Sequence, residues 1–473
     1  MIYDPSGGFL MISYWKNGSI EQDHPLSNTQ TLLEFLRESK RLTGTKEGCA
    51  SGDCGACTVV LVTLGDDETL KYEAVNSCLM PAAELAGKAL ITIEDLAEGD
   101  TLHPLQQAFI DHHASQCGFC TPGFILSAFA LKKQNSDPDI EAIDEALGGN
   151  LCRCTGYSPI VKAVQLADCN QDRYSQLEVE LIEALKQLQP SVCSVTGYHR
   201  PRNLEELCTL RQENPESILL SGGTDWMLRA TQHLESVDRI ISTESVTELQ
   251  QLTVSDGYWS VGAGVSLSRI KEQAKACGFA ALDHLLNRFA SMQIRNRATL
   301  GGSIGNASPI GDLAPLMLAL EAELTLNASN QERSVALNQF FLGYKQTELR
   351  SDEVISRISF HIDEGASVLF EKVSKRLDDD ISAVAVATHF IINEGRLTSL
   401  RIGLGGMAAT PILALGVMSA FEDVVPSSIT IDQVTQALHE LSPLSDLRAS
   451  AEYRLSVCAR VIHHHLTSTE AAL

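Results

Sequence analysis

The pattern of apolar and polar residues begins with a predicted hairpin and a short helix. Residues 9–22 contain the β-rich run FLMISYW followed by Asn17-Gly18, a pair that favours a type I′ turn between two strands. In TLLEFLRES, residues 31–39, the apolar positions recur at helical spacing instead. The chain therefore opens with strand, turn, strand and helix.

Two further apolar runs complete a first predicted domain. TVVLVTL at 58–64 predicts a strand, and the apolar run ALITIEDL at 89–96 predicts another. A loop rich in Gly and Cys precedes them. A hairpin, a helix, a loop and strands in this order predict a compact domain over residues 1–90.

The pattern becomes helical beyond this domain. Four segments place apolar residues at helical spacing, and one of them opens with a proline, which suits the first turn of a helix. The segments are 103–114, 122–134, 139–149 and 158–167. Together they predict a four-helix bundle over residues 91–168. We interpret the polar, helix-prone residues 169–195 as a linker.

Strands and helices mix in the rest of the chain. Three Gly-rich turns interrupt the pattern, at 219–226, 260–267 and 299–315. The β-like runs AVAVATHFII and LTSLRIGLGG follow, and helices come after them. The pattern predicts an α+β domain over residues 196–366 and a smaller α+β domain over 367–473, so the expected fold class is a multidomain α+β chain.

Composition and charge narrow the function. The 473 residues are 44% apolar and carry a formal net charge of −24, which repels nucleic acid and anionic membranes. The first residues lack the features of a signal peptide, and no apolar run reaches the ~18 residues of a membrane span. Eight of the 13 cysteines lie from Cys49 to Cys154, and such clustering favours metal binding in a reducing compartment. We therefore expect a cytoplasmic protein without a nucleic-acid or membrane partner.

The first cysteine group has the spacing Cx4Cx2C in the loop EGCASGDCGACTVV, with a fourth cysteine further along. This is the plant-type [2Fe-2S] spacing, in which one tight loop supplies three thiolates. Gly48, Gly52 and Gly55 allow positive φ angles that turn backbone N–H groups toward a cluster. Zinc is the alternative, but zinc loops usually present paired cysteines on separate turns. The expected cluster ligands are Cys49, Cys54, Cys57 and Cys78.

The second cysteine group combines a CxxC pair, Cys117 and Cys120, with a CxC pair, Cys152 and Cys154. A disulfide within the CxC pair would be strained, so its thiols need partners elsewhere. Four thiolates in two pairs suit either an all-cysteine zinc site or a second [2Fe-2S] cluster, and spacing alone leaves both open. The neighbouring ferredoxin-like loop favours the cluster, because electron-transfer centres work in series.

Gly-rich turns in the third domain suggest nucleotide binding. In LLSGGTDWMLR a Gly-Gly-Thr-Asp turn follows an apolar strand, and such a turn lets backbone N–H groups approach a pyrophosphate. The run TLGGSIGNASPIGDLAP adds a second turn and places Asp312 at a helix entry, where its carboxylate can accept hydrogen bonds from sugar hydroxyls. The alternatives are an ordinary turn for the first motif and a helix cap for Asp312.

Two other patterns are interpreted structurally. GLGGMAAT at 403–410 fits GxGxxA, but Pro411 follows where a Rossmann fingerprint must open a helix, so we expect a turn at a strand end. The triplet His463-His464-His465 is expected to be a solvated helix end, because consecutive helical residues point in different directions.

Cx4Cx2C, CGFCTPG and LCRCTGY together are similar to the iron-sulfur module of the molybdenum hydroxylase family, which includes xanthine dehydrogenase and aldehyde oxidase. The resemblance covers the first 168 residues and matches all eight cysteine ligands. It implies a β-grasp ferredoxin-like domain for one [2Fe-2S] cluster and a four-helix bundle for the other. For the third domain it implies a non-Rossmann, vanillyl-alcohol-oxidase-like α+β fold that binds FAD.

The flavin contacts are implied by the same resemblance. It assigns the pyrophosphate to the Gly-rich turn at 219–226 and the second phosphate side to residues 299–303. It assigns the sugar portion to Asp312. It also places Phe289 beside the cofactor, Ile355 at a backbone contact and Lys372 near the isoalloxazine. Leu377 stands where the family often has a second basic residue near the nicotinamide entrance. The two turns comprise Leu219, Leu220, Ser221, Gly222, Gly223, Thr224, Asp225 and Trp226, and Thr299, Leu300, Gly301, Gly302 and Ser303.

The implied function is that of the small, electron-transfer subunit of a bacterial xanthine dehydrogenase, with no catalytic side chain of its own. A molybdopterin-binding large subunit would oxidise hypoxanthine and xanthine to urate in purine catabolism. Its electrons would pass through the two clusters to FAD and then to NAD+, in a heterotetramer of two small and two large subunits. The alternatives are the equivalent subunit of another molybdenum hydroxylase, acting on an aldehyde or N-heterocycle, and a non-enzymatic accessory protein that binds zinc.

Overall fold

The computed structural model describes residues 11–65, 67–189 and 193–468. The chain forms two compact units. The first comprises the described residues of Met1–Arg200, Glu216–Ser242 and Ala290–Ala298, and the second comprises those of Pro201–Pro215, Thr243–Phe289 and Thr299–Leu473. The described residues do not include the predicted chain-terminal domain boundaries, residues 1 and 473. They also do not include residues 190–192 of the predicted linker.

A mixed β-sheet forms the first part of the first unit. Its elements are β1 (Met11–Lys16), β2 (Ser19–Asp23), α1 (Leu32–Glu34), β3 (Thr58–Leu64), β4 (Leu70–Asn76) and β5 (Ala89–Ile91). The strand order is β2-β1-β5-β3-β4, in which β1 and β5 are parallel, as in the predicted β-grasp fold. The predicted hairpin is confirmed, because β1 pairs with β2 and the φ angles of Asn17 and Gly18 are 51° and 91°. Its predicted residues 9 and 10 lie outside the described residues.

One predicted element changes its helix type, and another is shorter than the apolar pattern indicated. The helix predicted over residues 31–39 starts with a capping box between Thr31 and Glu34, but it continues as a π-helical turn from Phe35. The strand predicted over 89–96 ends at Ile91. Thr92 then caps a 3₁₀ turn, Ile93–Asp95, whose last carboxylate accepts a hydrogen bond from the Thr92 backbone. A local side-chain cap therefore overrides the apolar pattern after Ile91, whereas the capping box at Thr31 supports the predicted helix start.

The four predicted helices beyond the sheet are confirmed. They are α2 (Pro104–Asp111), α3 (Thr121–Gln134), α4 (Ile140–Leu147) and α5 (Ser158–Leu166). Most of α3 is buried, and it packs on β3 and β4. Its Phe124 and Phe129 share one apolar core with Trp15 and Val60 of the sheet. The bundle and the sheet therefore form a continuous core.

The segment interpreted as a linker contains two helices, α6 (Arg173–Gln176) and α7 (Glu178–Gln187). Tyr174, Leu181 and Leu185 of these helices are buried in the same core as the bundle. The helix-prone composition of the segment reflects this packed face. The exact domain boundaries stay predictions.

The chain continues with β6 (Cys193–Ser194), β7 (Tyr198–His199), α8 (Leu204–Glu213), β8 (Ile218–Leu220), α9 (Met227–His233) and β9 (Ile240–Ser242). Strand β6 pairs with β1, and β7, β9 and β8 form a small parallel sheet in that order. Leu220 and Ile240 of this sheet join the core that contains Phe35 and Val59. Apart from α8, these elements belong to the first unit.

The second unit is built on a five-stranded antiparallel sheet. The elements that follow in chain order are β10 (Leu252–Ser255), β11 (Tyr258–Gly262), α10 (Leu267–Ala276), α11 (Ala280–Asn287), α12 (Met292–Arg295, in the first unit), α13 (Leu300–Asn306), α14 (Leu313–Ala319), β12 (Glu323–Ala328), β13 (Gln331–Ala336), α15 (Leu337–Phe340), β14 (Phe341–Gly343), β15 (Gln346–Thr347) and β16 (Val354–His361). The sheet order is β10-β11-β16-β12-β13. Trp259 stacks on Phe360 at a centroid distance of 5.6 Å, and this pair anchors the sheet core.

A four-stranded antiparallel sheet and three helices complete the second unit. They are β17 (Ser367–Val373), β18 (Val384–Asn393), β19 (Arg396–Gly405), β20 (Ile412–Leu413), α16 (Leu415–Phe421), α17 (Ile431–Ala437) and α18 (Ala451–Thr467). The two predicted strands are confirmed as β18 and β19. The segment GLGGMAAT runs from β19 into a turn that leads to β20, so the interpretation as a strand-end turn is also confirmed.

The solvated end predicted for the His triplet is wrong for its last residue. His465 is 5% exposed, and its Nδ1 lies 3.1 Å from Thr388 Oγ1 on β18. Helix α18 packs one face on β18, and the helical period brings this position to that face. Among the helices of the described residues, none is long and apolar enough to cross a membrane.

Candidate iron-sulfur and flavin sites

The first cysteine group comes together around the loop before β3. Cys57 Sγ lies 3.3 Å from Cys78 Sγ, which the turn after β4 supplies. Cys49 and Cys54 form a second hydrogen-bonded pair on the loop itself. The backbone N–H of Ser51 points at Cys49 Sγ, at 3.4 Å. The four thiols therefore form two pairs.

The pairing of these thiols changes their pKa values in opposite directions within each pair. The hydrogen bond from Cys54 lowers the pKa of Cys49 to about 4, and the same bond raises the pKa of Cys54. The hydrogen bond from Cys78 likewise lowers the pKa of Cys57 and raises that of Cys78. Each pair thus contains one thiol that ionises readily, and the thiolate is the form that binds a metal.

Three glycines shape the first loop. Gly52 and Gly55 have φ angles of 83° and 66°, as predicted, and these angles favour glycine. Gly48 does not have a positive φ angle, so that part of the prediction is wrong. A Cβ atom at Gly48 would lie 2.7 Å from Cys54 Sγ, and this close approach to sulfur is the reason for glycine there.

The second cysteine group joins the entry of α3 to the loop before α5. Cys154 Sγ lies 3.7 Å from Cys117 Sγ, and both residues are exposed. Cys120, at the N-cap of α3, pairs with Cys152. Burial and this pairing raise the pKa of Cys120 to about 12. The two cysteines of the CxC pair therefore do not pair with each other. Cys154 pairs with Cys117, and Cys152 pairs with Cys120.

The way the cysteine thiols pair indicates which kind of metal centre they can bind. Within the described part of the chain, no group of three or more His, Cys, Asp or Glu side chains converges on one point as a single metal ion requires. A [2Fe-2S] cluster takes two ligands on each of its two irons. Two separate pairs at each site fit that demand better than they fit tetrahedral zinc. The assignment of the eight individual ligands stays a prediction.

The predicted flavin contacts of the first unit lie at the end of β8. Leu219 and Leu220 belong to the strand, and Ser221–Asp225 form the turn that leads into α9. A Cβ atom at Gly222 would overlap the carbonyl oxygen of Arg297, so only glycine fits there. The Nε1 atom of Trp226 is buried without a hydrogen-bond partner among the described residues. An unpaired donor at this turn fits a ligand with acceptor oxygens, as a pyrophosphate has.

The remaining predicted flavin contacts belong to the second unit. Thr299 caps α13, since its side chain accepts a hydrogen bond from Gly302 N at 3.0 Å. Leu300 and Gly301 are buried, whereas Gly302 is exposed and Ser303 is half-buried. Phe289 and Ile355 are also half-buried. The exposed start of α13 is therefore the part of this turn that a phosphate can reach.

Asp312 and Lys372 form a buried ion pair. Lys372 Nζ donates to Asp312 Oδ2 at 2.8 Å and to the carbonyl oxygen of Arg288 at 3.0 Å. Ser382 Oγ donates to the other carboxylate oxygen of Asp312. Asp312 makes no cap hydrogen bond to α14, so the helix-cap alternative is wrong. Both carboxylate oxygens already have protein donors, and a contact to the flavin sugar stays a prediction.

Arg288 organises the loop that follows Lys372. Its guanidinium donates to Lys372 O at 2.8 Å, to Ser374 Oγ at 3.1 Å and to Leu377 O at 3.2 Å. The Leu377 side chain is 68% exposed. Sequence reasoning missed Arg288 and Ser382. The position of Arg288 directly before the predicted Phe289 is the signal that was available for it.

Four family models match successive parts of the chain. They are "2Fe-2S iron-sulfur cluster binding domain" over residues 17–83, "[2Fe-2S] binding domain" over 92–165, "FAD binding domain in molybdopterin dehydrogenase" over 191–360, and "CO dehydrogenase flavoprotein C-terminal domain" over 370–469. The predicted multidomain α+β fold class is confirmed. Two 2Fe-2S-binding domains and an FAD-binding domain are present, as predicted.

Curated relatives and solved structures agree with these matches. Xanthine dehydrogenase of Emericella nidulans is 31% identical over 448 residues, which cover 81% of this chain and 33% of that protein. Xanthine dehydrogenase 1 of Arabidopsis thaliana is 33% identical over 464 residues, with 81% and 34% covered. The chain thus spans about a third of the length of the curated relatives it matches.

Similar folds occur in solved structures of other enzymes. Carbon monoxide dehydrogenase from Hydrogenophaga pseudoflava has a TM-score of 0.54 at 24% identity, over 58% of this chain and 96% of that chain. Quinoline 2-oxidoreductase from Pseudomonas putida 86 has a TM-score of 0.51 at 27% identity, with the same shares covered.

Proposed function

The chain belongs to the molybdenum hydroxylase family, and on that premise we propose that it is the iron-sulfur and flavin subunit of a xanthine dehydrogenase. When bound, the two clusters and FAD supply one-electron and hydride chemistry, so electrons from a molybdopterin-binding partner that oxidises hypoxanthine and xanthine to urate would pass to NAD+. The names of the relatives in Emericella nidulans and Arabidopsis thaliana support this substrate.

One observation carries the proposal: the two predicted cysteine sites and the first predicted flavin turn, residues 219–226, adjoin within the first unit. Leu151, next to the ligand Cys152, donates its backbone N–H to the carbonyl oxygen of Cys54 at 3.0 Å. Met227 and the partly buried Trp226, which belong to the first flavin turn and the start of α9, pack in the cluster that contains Cys57 and Cys78. Protein residues thus connect the second cysteine site, the first cysteine site and the flavin turn in that order. Such an order suits electron transfer in series.

The surface around the second cysteine site suits a protein partner. Phe119, Leu151 and Tyr157 are 47%, 54% and 42% exposed, and they neighbour the ligands along the chain. Tyr157 also accepts a hydrogen bond from Cys152 N through its hydroxyl, at 3.0 Å. Exposed large apolar side chains beside a functional centre favour association with another protein. The proposed occupant is the molybdopterin-binding large subunit, in a complex with two copies of each subunit.

The proposed electron acceptor is NAD+, and the proposed location is the cytoplasm. In the second unit, Lys372 is held by Asp312 and by the Arg288 carbonyl, so its ammonium group has a fixed position, and the isoalloxazine is proposed to bind beside it. The Arg288 guanidinium donates hydrogen bonds to two backbone carbonyl oxygens, those of Lys372 and Leu377, and so restrains the loop that carries Leu377. This chain would thereby position the flavin and the nicotinamide, and it would leave acid-base chemistry on the purine to the partner.

The test is purification of the chain with whatever copurifies, followed by assays of composition and activity. Two two-iron clusters predict about four irons, acid-labile sulfide and one flavin per chain. NAD+ should be reduced on addition of xanthine or hypoxanthine. A colourless protein with zinc in place of iron would overturn the proposal and favour the accessory-protein alternative.

A second candidate function follows from the structural neighbours. The likeness to quinoline 2-oxidoreductase, at 27% identity, supports a molybdenum hydroxylase that oxidises an N-heterocycle other than a purine. The same purified complex distinguishes the two functions. Turnover with quinoline but not with xanthine would replace the purine substrate and leave the proposed electron-transfer role intact.

A further inference from the structure

The two cysteine loops are joined by a direct hydrogen bond. The carbonyl oxygen of Cys54, a predicted ligand of the first site, accepts from the N–H of Leu151 at 3.0 Å. Leu151 is followed by Cys152, a predicted ligand of the second site. One hydrogen bond and the backbone of one residue therefore connect the two ligand sets.

The Asn150 side chain clamps the same two loops. Its Nδ2 donates to Gly55 O at 3.0 Å and contacts Thr58 Oγ1 at 3.3 Å. Its Oδ1 accepts from Ser127 Oγ at 2.7 Å and from Gln293 Nε2 at 2.9 Å. Asn150, Ser127 and Gln293 are 2%, 1% and 0% exposed. At a buried site each of these bonds is costly to lose, so the four contacts favour one orientation of the amide.

Glycines permit the close approach that this clamp needs. A Cβ atom at Gly55 would overlap Gly149 O and Asn150 Nδ2, and one at Gly123 would overlap Gly55 O. A Cβ atom at Gly149 would overlap the Gln293 side chain. The backbones of the first loop, the second loop and the start of α3 are therefore in contact around one buried amide.

The clamp extends to a segment that lies far along the chain. Gln293 belongs to α12, and its neighbours also bond to the cysteine domains. Arg295 Nη2 donates to Glu145 Oε1 at 2.7 Å, and Asn296 Nδ2 donates to Ala74 O at 2.8 Å. These bonds fix the backbone around Gln293 in position. The Gln293 side chain can therefore restrain the Asn150 amide through their hydrogen bond.

We propose that Asn150, supported by Gln293, is a positioning residue that fixes the separation and relative orientation of the two iron-sulfur sites. This inference rests on the proposed function, because it concerns the transfer of one electron from the second site to the first. In that step the second site is oxidised, the first is reduced, and no covalent bond forms or breaks. The clamp keeps the Cys54–Leu151 hydrogen bond intact and so keeps the connection between the sites constant.

The test compares the full cofactor-loaded chain with three variants. Asn150→Ala removes the clamp, and Asn150→Asp keeps the acceptor oxygen but loses the donor to Gly55. Gln134→Ala is the matched control, since Gln134 Nε2 also links the bundle to the sheet, by a 2.7 Å bond to Tyr72 O remote from the cysteines. Iron and flavin are measured first. EPR spectra after full reduction with dithionite then report the magnetic splitting between the two clusters, and stopped-flow spectra report how fast an electron equilibrates between them.

We expect both Asn150 variants to lose the wild-type splitting and to equilibrate more slowly, while the control keeps both properties. Unchanged splitting and rate in Asn150→Ala with full iron content would overturn the inference. If that variant fails to load its second site, Gln293→Ala decides, because it leaves every cysteine and the Asn150 amide in place. Changed splitting there supports the clamp, and unchanged splitting refutes it. A wild-type chain without two EPR signals would instead refute the proposed function.

Discussion

The buried pair of Lys372 and Asp312 predicts a large and specific effect of a single substitution. The side chains are 3% and 6% exposed, and their charged atoms are 2.8 Å apart. Lys372→Met removes one charge and keeps most of the side-chain volume. The buried Asp312 carboxylate then keeps its hydrogen bond from Ser382 but has lost its counter-charge.

The expected cost follows from this burial. Removing one partner of a buried ion pair destabilises a protein by about 3–5 kcal/mol, because the remaining charge is left uncompensated. An exposed pair is worth about 0–1 kcal/mol. The double variant Lys372→Met/Asp312→Asn removes both charges, and it should therefore be more stable than Lys372→Met alone. We expect a coupling free energy of at least about 2 kcal/mol between the two positions.

Hydrogen exchange of the flavin-free chain is the suitable assay. Peptides that cover β17 and α14 report the local free energy of opening, without a contribution from flavin binding. Lys186→Met is the matched control, since Lys186 Nζ lies 3.0 Å from Glu68 Oε2 but the side chains are 39% and 68% exposed. Peptides that cover α7 should change little in that variant.

Two results would contradict the reasoning. If Lys372→Met destabilises its peptides no more than Lys186→Met destabilises α7, the pair is not effectively buried. If the double variant is as unstable as the sum of the two single variants, the carboxylate and the ammonium group do not act as a pair. In the second case the contact with flavin would have to account for the presence of both residues.

Three further predictions concern flavin, pH and the clusters. Gly222→Ala should lower the flavin content while the iron content stays near normal, because the new Cβ overlaps the Arg297 carbonyl and displaces the turn; chemical analysis measures both. Burial lowers the pKa of His465 from 6.5 to about 4, so the unfolded chain binds a proton before the folded chain does. Stability should then fall as the pH drops from about 6.5 to 4, by about 3 kcal/mol in all, and hydrogen exchange of α18 at several pH values should show a flatter profile for His465→Gln. Cys152→Ser should remove one of two EPR signals and leave flavin in place, whereas loss of both signals would show that the two sites depend on each other.

Local patterns predicted much of the fold. Asn17-Gly18 determines its hairpin because both residues adopt positive φ angles, a local property of the pair. The four bundle helices were also recognisable, because their apolar faces follow the helical period. The linker interpretation overlooked Tyr174 and Leu181, since a polar helix with one narrow apolar face resembles a solvated segment until its binding surface is known.

The sites were predictable where one short segment supplies the chemistry. The segment from Cys49 to Cys57 contains three of the four ligands predicted for the first site, and the CxC pair pointed to partners outside itself, which the structure places at Cys117 and Cys120. Lys372, Asp312 and Ser382 are far apart in the sequence, and only the folded second unit brings them into one hydrogen-bonded group. The contact between Asn150 and Gln293 has the same long-range character, although Asn150 stands directly before the cysteine motif.

The first unit is assembled from three separate stretches of sequence, and this has a consequence for biosynthesis. All eight predicted ligands have been translated by Cys154, but Met227 and Ile294, which pack against the group around Cys57 and Cys78, come much later. A nascent chain therefore presents its cysteines before the residues that cover the first site exist. The segment Ala290–Ala298 is the last part of the first unit to be synthesised, so that unit is complete only after most of the second unit's first strands and helices have been translated.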